Sequence, residues 1–132
     1  MRSRTFPRSP DAVARARDFV AGCILGCAPE QAADIVLCVS ELATNAVQHT
    51  PAGHRFLVRI IPNDGALRIE VHDASADTPY LRTTVDTDER GRGLRLVSEV
   101  ADDWGVSARR GPGKIVWAEF KIWAAAAVEA PC

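Results

Sequence analysis

The chain has 132 residues, 47% of them hydrophobic and 25% charged, and a formal net charge of -1. That is the size of one domain, too apolar for intrinsic disorder and without the basic excess of a generic nucleic-acid binder. No apolar run approaches the roughly 20 residues that cross a bilayer, and no apolar segment follows Arg2, Arg4 and Arg8. A cytoplasmic protein with no membrane anchor or secretory signal is therefore expected, its basic start a solvated tail.

Pro10-Asp11 opens a helical stretch in which Val13, Ala16, Val20 and Ile24 recur at helical spacing, running down towards Gly26. Pro29-Glu30 begins a second helix, with proline early and acidic residues in the first turns. Its core stripe is Ile35, Val39, Leu42 and Ala46, flanked by Val36, Ala43 and Val47, and Thr50-Pro51-Ala52-Gly53 stops it. A strand follows from Arg55 to Ile61, then the turn Asn63-Asp64-Gly65. Leu67, Ile69 and Val71 next alternate with Arg68, Glu70 and His72, which predicts an antiparallel hairpin with one packed face and one partly wet.

From Asp73 to Gly91 the pattern dissolves, and a loop of that length inside a compact domain is usually functional. The turn Arg90-Gly91-Arg92-Gly93 leads into a third helix, Leu94 to about Ala101, with Leu94, Val97 and Val100 towards the core. Two strands close the chain, Trp104 to Arg109 and Ile115 to Trp123, joined by Gly111-Pro112-Gly113. Val116, Ala118, Phe120 and Ile122 share a face of the last one, and the alanine-rich tail is expected to fray. This order predicts an α+β fold, a two-layer α/β sandwich with a mixed, mostly antiparallel sheet and helices on one face. A single domain over 1–132 is expected, with its core at about 6–122.

Cys23, Cys27 and Cys38 read as small buried apolar residues; with Cys132 they form neither a disulfide framework nor a paired zinc pattern. Trp104 is expected under the sheet. Trp117, on the opposite face from Phe120, is a candidate partner contact.

Three places offer chemistry. On the second helix Asp34, Glu41, Asn45 and Gln48 fall opposite the stripe, and Glu41 and Asn45, at i and i+4, sit side by side. By themselves they read as a solvated face, but a carboxylate beside a carboxamide is also a hard-oxygen pair suited to Mg²⁺ or its waters. Asp73, after His72 at a strand end, is turn chemistry or an acceptor for an exocyclic amine such as that of adenine. Gly91-Arg92-Gly93-Leu94 is a plain loop, or the start of a helix whose backbone N–H groups receive phosphate. A metal-dependent hydrolase using His49, His54, His72 and Asp73 is a weaker rival, because their spacing suits no common zinc pattern.

The series as a whole resembles the Bergerat (GHKL) ATP-binding fold of DNA gyrase, the Hsp90 chaperones, histidine kinases and MutL. The phrases that carry the likeness are Ser40-Glu41-Leu42-Ala43-Thr44-Asn45-Ala46-Val47-Gln48-His49-Thr50, Val71-His72-Asp73-Ala74-Ser75, Gly91-Arg92-Gly93-Leu94-Arg95-Leu96-Val97, Trp104-Gly105-Val106 and Gly113-Lys114-Ile115-Val116-Trp117-Ala118-Glu119-Phe120. They are most similar to the anti-sigma-factor serine/threonine kinases, over about Phe6 to Ile122.

The resemblance implies that Asn45 ligates Mg²⁺, and that Glu41 orients or deprotonates the attacking hydroxyl. It implies that Asp73 takes the adenine amino group and that backbone around Gly91, Arg92, Gly93 and Leu94 receives the phosphates, while His49 and His72 are expected to line the pocket or cap an element. The loop from Ser75 to Arg90 would be the lid, and phosphoryl transfer needs little beyond such positioning and charge neutralisation. The implied partners are ATP, a sigma factor and a STAS-type anti-anti-sigma protein; homodimerisation stays open.

Two positions depart from the family pattern. Ser75 stands where the family prefers glycine, and Ile115 stands where many relatives carry a threonine whose hydroxyl faces the base. The alternative therefore stays open that the chain is a catalytically silent GHKL module which regulates transcription by binding a sigma factor or its antagonist.

Overall fold

Strand alternation organises the sheet around one hairpin. Asp64-Gly65 forms its turn, with Gly65 at φ 66°, a left-handed conformation that glycine adopts without steric cost. The computed structural model describes residues 1–51, 53–73, 89–108 and 113–122, with the backbone alone over 89–93. In chain order the elements are β1 (Arg2–Pro7), α1 (Asp11–Cys23), α2 (Pro29–His49), β2 (Arg55–Asn63), β3 (Ala66–Asp73), α3 (Glu89–Val100), β4 (Asp103–Ala108) and β5 (Lys114–Lys121). The expected Gly111-Pro112 turn, most of the 75–90 lid with Ser75, and the alanine-rich tail with Cys132 lie outside the described residues.

The strands form one sheet in the order β1-β2-β3-β5-β4, and each neighbouring pair is antiparallel. Phe56, Val58 and Ile60 of β2, Leu67, Ile69 and Val71 of β3, and Val116, Ala118 and Phe120 of β5 are buried together. Against them pack Ala16, Phe19 and Val20 of α1, Ile35, Val39 and Leu42 of α2, and Val97 of α3. The intervening strand residues, among them Arg59, Arg68, His72, Trp117 and Glu119, are only half-buried on the other face. The result is the expected two-layer sandwich, its helices on one face. Among the described residues no helix is long and apolar enough to cross a membrane.

Three expectations need correcting. The basic start is the edge strand β1 and not a solvated tail: Phe6 stacks on Phe56 with ring centroids 5.6 Å apart and meets Phe19 edge-on at 6.2 Å. Arg2 and Arg4, on the same face as Phe6, lay their guanidinium groups over the Phe19 ring at 5.7 and 4.9 Å. Charged heads over an aromatic face let a basic strand cover apolar surface. The third helix begins at Glu89, so Gly91 and Gly93 lie inside its first turns and do not precede it as a turn. α1 is also shorter than expected, ending at Cys23 with Ile24 as its C-cap.

The cysteines behave as expected: Cys23, Cys27 and Cys38 are buried and form no disulfide among the described residues. Burial, reinforced by the nearby charges of Asp34 and Glu41, pushes the Cys38 thiol up to about 12, so it stays neutral and unreactive. Trp104 is half-buried and packs on the core from the helix side. Trp117 is not an open platform. The Arg68 guanidinium covers its ring at 4.1 Å, and a Cβ placed on Gly105 would lie 2.7 Å from its Cζ2. Only glycine at 105 lets the indole lie across β4.

Candidate functional site

Helix α2 touches α1, α3, β3 and β5, which leaves it only a narrow wet strip. The polar residues opposite its stripe are consequently not equivalent. Gln48 is exposed, Asp34 and Glu41 are half-buried, and Asn45 is 6% exposed. Both polar atoms of the Asn45 side chain, Oδ1 and Nδ2, are buried without a hydrogen-bond partner among the described residues. An unpaired buried polar group costs about 1–3 kcal/mol, so folded proteins keep few, and a carboxamide held this way suits a ligand from outside the chain. The Thr50 hydroxyl, at the C-cap of the same helix, is likewise buried and unpaired. Glu41 sits one turn before Asn45. His49 is half-buried as the last residue of α2, a place that favours a basic side chain beside the helix C-terminus.

Asp73 ends β3 with its side chain on the helix-facing side, and in the β3–β5 register it lies opposite Lys114. Lys114 Nζ donates to Asp73 Oδ2 at 2.7 Å, with the two side chains 0% and 2% exposed. Lys114 was not among the residues expected at the site. The signal was its parity: it stands two residues before Val116, on the stripe that continues through Ala118 and Phe120, where a lysine is out of place unless paired.

The same parity revises the reading of Ile115. It opposes His72 on the other face of the sheet, away from Asp73, so the residue beside Asp73 is Lys114. His72 likewise turns from Asp73 and hydrogen-bonds Glu70 on the open face, Nε2 to Oε1 at 2.8 Å. The hydrolase reading loses its His72–Asp73 pair, and among the described residues no group of three or more His, Cys, Asp or Glu side chains is placed to hold a metal ion.

On α3, Gly91 falls in the first turn, where backbone N–H groups lack helical partners and the dipole favours anions. Leu94 lies deeper, its N–H within the helical ladder and its half-buried side chain against the core. The backbone chemistry expected of the Gly91–Leu94 stretch thus belongs at its beginning. Arg92 and Gly93 follow Gly91 along the helix.

These parts suit a polyanionic ligand carrying a cation and an amine: an unpaired carboxamide with a carboxylate one turn away, a buried carboxylate at a strand end, and a helix start. Residues 6–120 match the histidine kinase-like ATPase domain, and the chain belongs to that family. It is an ATP-binding domain of the GHKL kinase type.

Its fold is similar to that of full-length ShkA, solved in complex with AMPPNP (TM-score 0.60, 22% identity, 100% of this chain and 33% of that one). It is also similar to the histidine kinase domain of the blue-light activated histidine kinase EL346 from Erythrobacter litoralis (TM-score 0.53, 28% identity, 70% and 45% of the two chains). A third likeness is to the mycobacterial sensor histidine kinase MprB (TM-score 0.56, 12% identity, 92% and 98%). The chain spans 33% and 45% of the first two structures' lengths. No protein of curated function matches the sequence significantly.

Proposed function

We propose that this ATP-binding domain works in the cytoplasm as an anti-sigma-factor serine/threonine kinase, passing the γ-phosphoryl group of ATP to a STAS-type anti-anti-sigma protein. The single observation that carries the reading is the Asn45 carboxamide, buried with both polar atoms unpaired among the described residues, on the helix that also bears Glu41. Asn45 would hold Mg²⁺ through Oδ1, the ion neutralising phosphate charge when bound. Glu41, half-buried one turn earlier, accepts the proton of the attacking hydroxyl. Asp73 accepts from the adenine amino group. Backbone N–H groups at the start of α3 receive phosphate oxygens, and His49 lines the pocket.

A second reading, a silent module that binds a sigma factor or its antagonist, draws support from Asp73, whose carboxylate is already engaged inside the fold by Lys114.

Calorimetric titration of Mg·ATP into the wild type, Asn45→Ala and Asp73→Asn separates the two. The kinase reading expects saturable binding that both substitutions abolish in folded protein. No wild-type binding at millimolar ATP leaves only the silent module. For Glu41→Ala the expectation is near-normal nucleotide affinity with phosphoryl transfer down by about 10²–10⁴-fold, the usual weight of a general base.

A further inference from the structure

Lysine is almost never fully buried without a partner, and a buried ion pair can often be replaced by apolar residues with no loss of stability. Stability alone therefore does not account for Lys114 and Asp73, which meet at 2.7 Å with 0% and 2% of their side chains exposed. The pair lies where β3 ends and β5 begins, on the face that α2 covers. A carboxylate side chain turns freely about its last bond unless something holds it. The Lys114 ammonium, donating to Oδ2 at 2.7 Å, holds the Asp73 carboxylate in one orientation.

We propose that Lys114 is a positioning residue for base recognition: it holds the Asp73 carboxylate in one orientation as an acceptor and so sets how strongly the site prefers a 6-amino purine over a 6-oxo purine. The inference rests on the reading of Asp73 as the residue that meets adenine. An exocyclic amine donates to the held carboxylate, whereas a 6-oxo group turns lone pairs towards an anion. Lys114 itself need not touch the nucleotide. It also explains how Asp73 can be engaged within the fold and still accept from a ligand, because a carboxylate has about four lone-pair sites.

The test is calorimetric titration of Mg·ATP and Mg·ITP into the full chain as wild type, Lys114→Met and Lys114→Gln, with circular dichroism as the check on folding. The wild type is expected to favour ATP by about tenfold or more, as hydrogen bonds to charged groups do. Both variants are expected to retain triphosphate binding, with the ATP preference reduced to within about threefold. Lys114→Gln keeps a donor amide beside Asp73 but lacks the charge, so it carries the test if the methionine variant does not fold.

A folded Gln or Met variant with an undiminished ATP preference would show the pair to be only structural. A rise in ATP affinity would show that Lys114 blocks the site, and a wild-type preference below about twofold would overturn the inference without any variant. Absence of wild-type binding to either nucleotide removes the ATP-binding reading along with it; failure in the variants alone removes only the role of Lys114.

Discussion

On the helix-facing side of the sheet, Lys114 and Asp73 meet with 0% and 2% of their side chains exposed. On the open side, Arg68 bridges Glu70 and Glu119 at 2.9 Å each, in a network where the three side chains are 28%, 11% and 38% exposed. Arg59 lies 3.8 Å from Glu70, and His72 bonds the same carboxylate. Both regions are built on strand residues of β3 and β5, with Arg59 of β2 added on the open side, and they differ chiefly in water. The dry pair has its two charges compensating each other, so neither is dispensable alone. The open-side network spreads the largely buried Glu70 carboxylate over several partly exposed partners, so no single bond there carries the whole of its compensation.

The largest effect should come from breaking the dry pair on one side. Lys114→Met is expected to lose about 3–5 kcal/mol in urea denaturation, the usual cost of removing one member of a buried ion pair. The double variant Asp73→Asn/Lys114→Met should recover most of that loss, because no ion remains to be compensated. A double variant as unstable as the sum of the singles would mean the two residues are not coupled.

On the open face the largest expected effect is steric. Gly105→Val sets a Cβ 2.7 Å from the Trp117 ring, which is held from its other side by Arg68. A loss of about 1–3 kcal/mol is expected, the usual cost of overpacking, with a shift in tryptophan emission as the indole is displaced. Unchanged emission and stability would mean that β4 yields easily at this edge.

The smallest effect is electrostatic. Burial by itself would raise the Glu70 carboxyl, but hydrogen bonds from His72 and Arg68, together with their charges, outweigh it and hold the group below its ordinary 4.5. A carboxyl depressed in the folded state contributes stability that is present above the unfolded value and lost as pH falls through the folded one. Melting of the wild type should therefore lose an increment below about pH 4.5 that Glu70→Gln lacks, worth at most about 1 kcal/mol in so wet a network. A wild-type minus variant difference that is flat across that window would take Glu70 out of the acid response.

Much of the fold was legible because its signals are local. The stripe Ile35, Val39, Leu42, Ala46 declares α2 within a few turns, and the alternation around Asp64-Gly65 declares the hairpin. β1 was not legible, since Arg2 and Arg4 take the strand positions on the Phe6 face, and only Phe19, brought over them by α1, makes that favourable. The start of α3 differs from the sequence reading because Gly91 and Gly93 are turn signals that the helix nonetheless accommodates. At the site, Glu41, Asn45 and Asp73 stood out by spacing and by their place at the ends and faces of elements. Lys114 did not, because its partner lies 41 residues away in the chain.

Periodicity, turn chemistry and the order of motifs, all properties of neighbours along the chain, determined the two-layer sandwich and the family to which it belongs. Which residues went dry was decided only by tertiary structure. Asn45 is 6% exposed on a helix that packs against α1, α3, β3 and β5, where an ordinary polar helix face would have stayed wet. The β3–β5 register set Lys114 beside Asp73 and turned Ile115 and His72 away. Burial and pairing depend on which distant segments meet, and a strand's alternation says that two faces exist without saying which one the helices will cover.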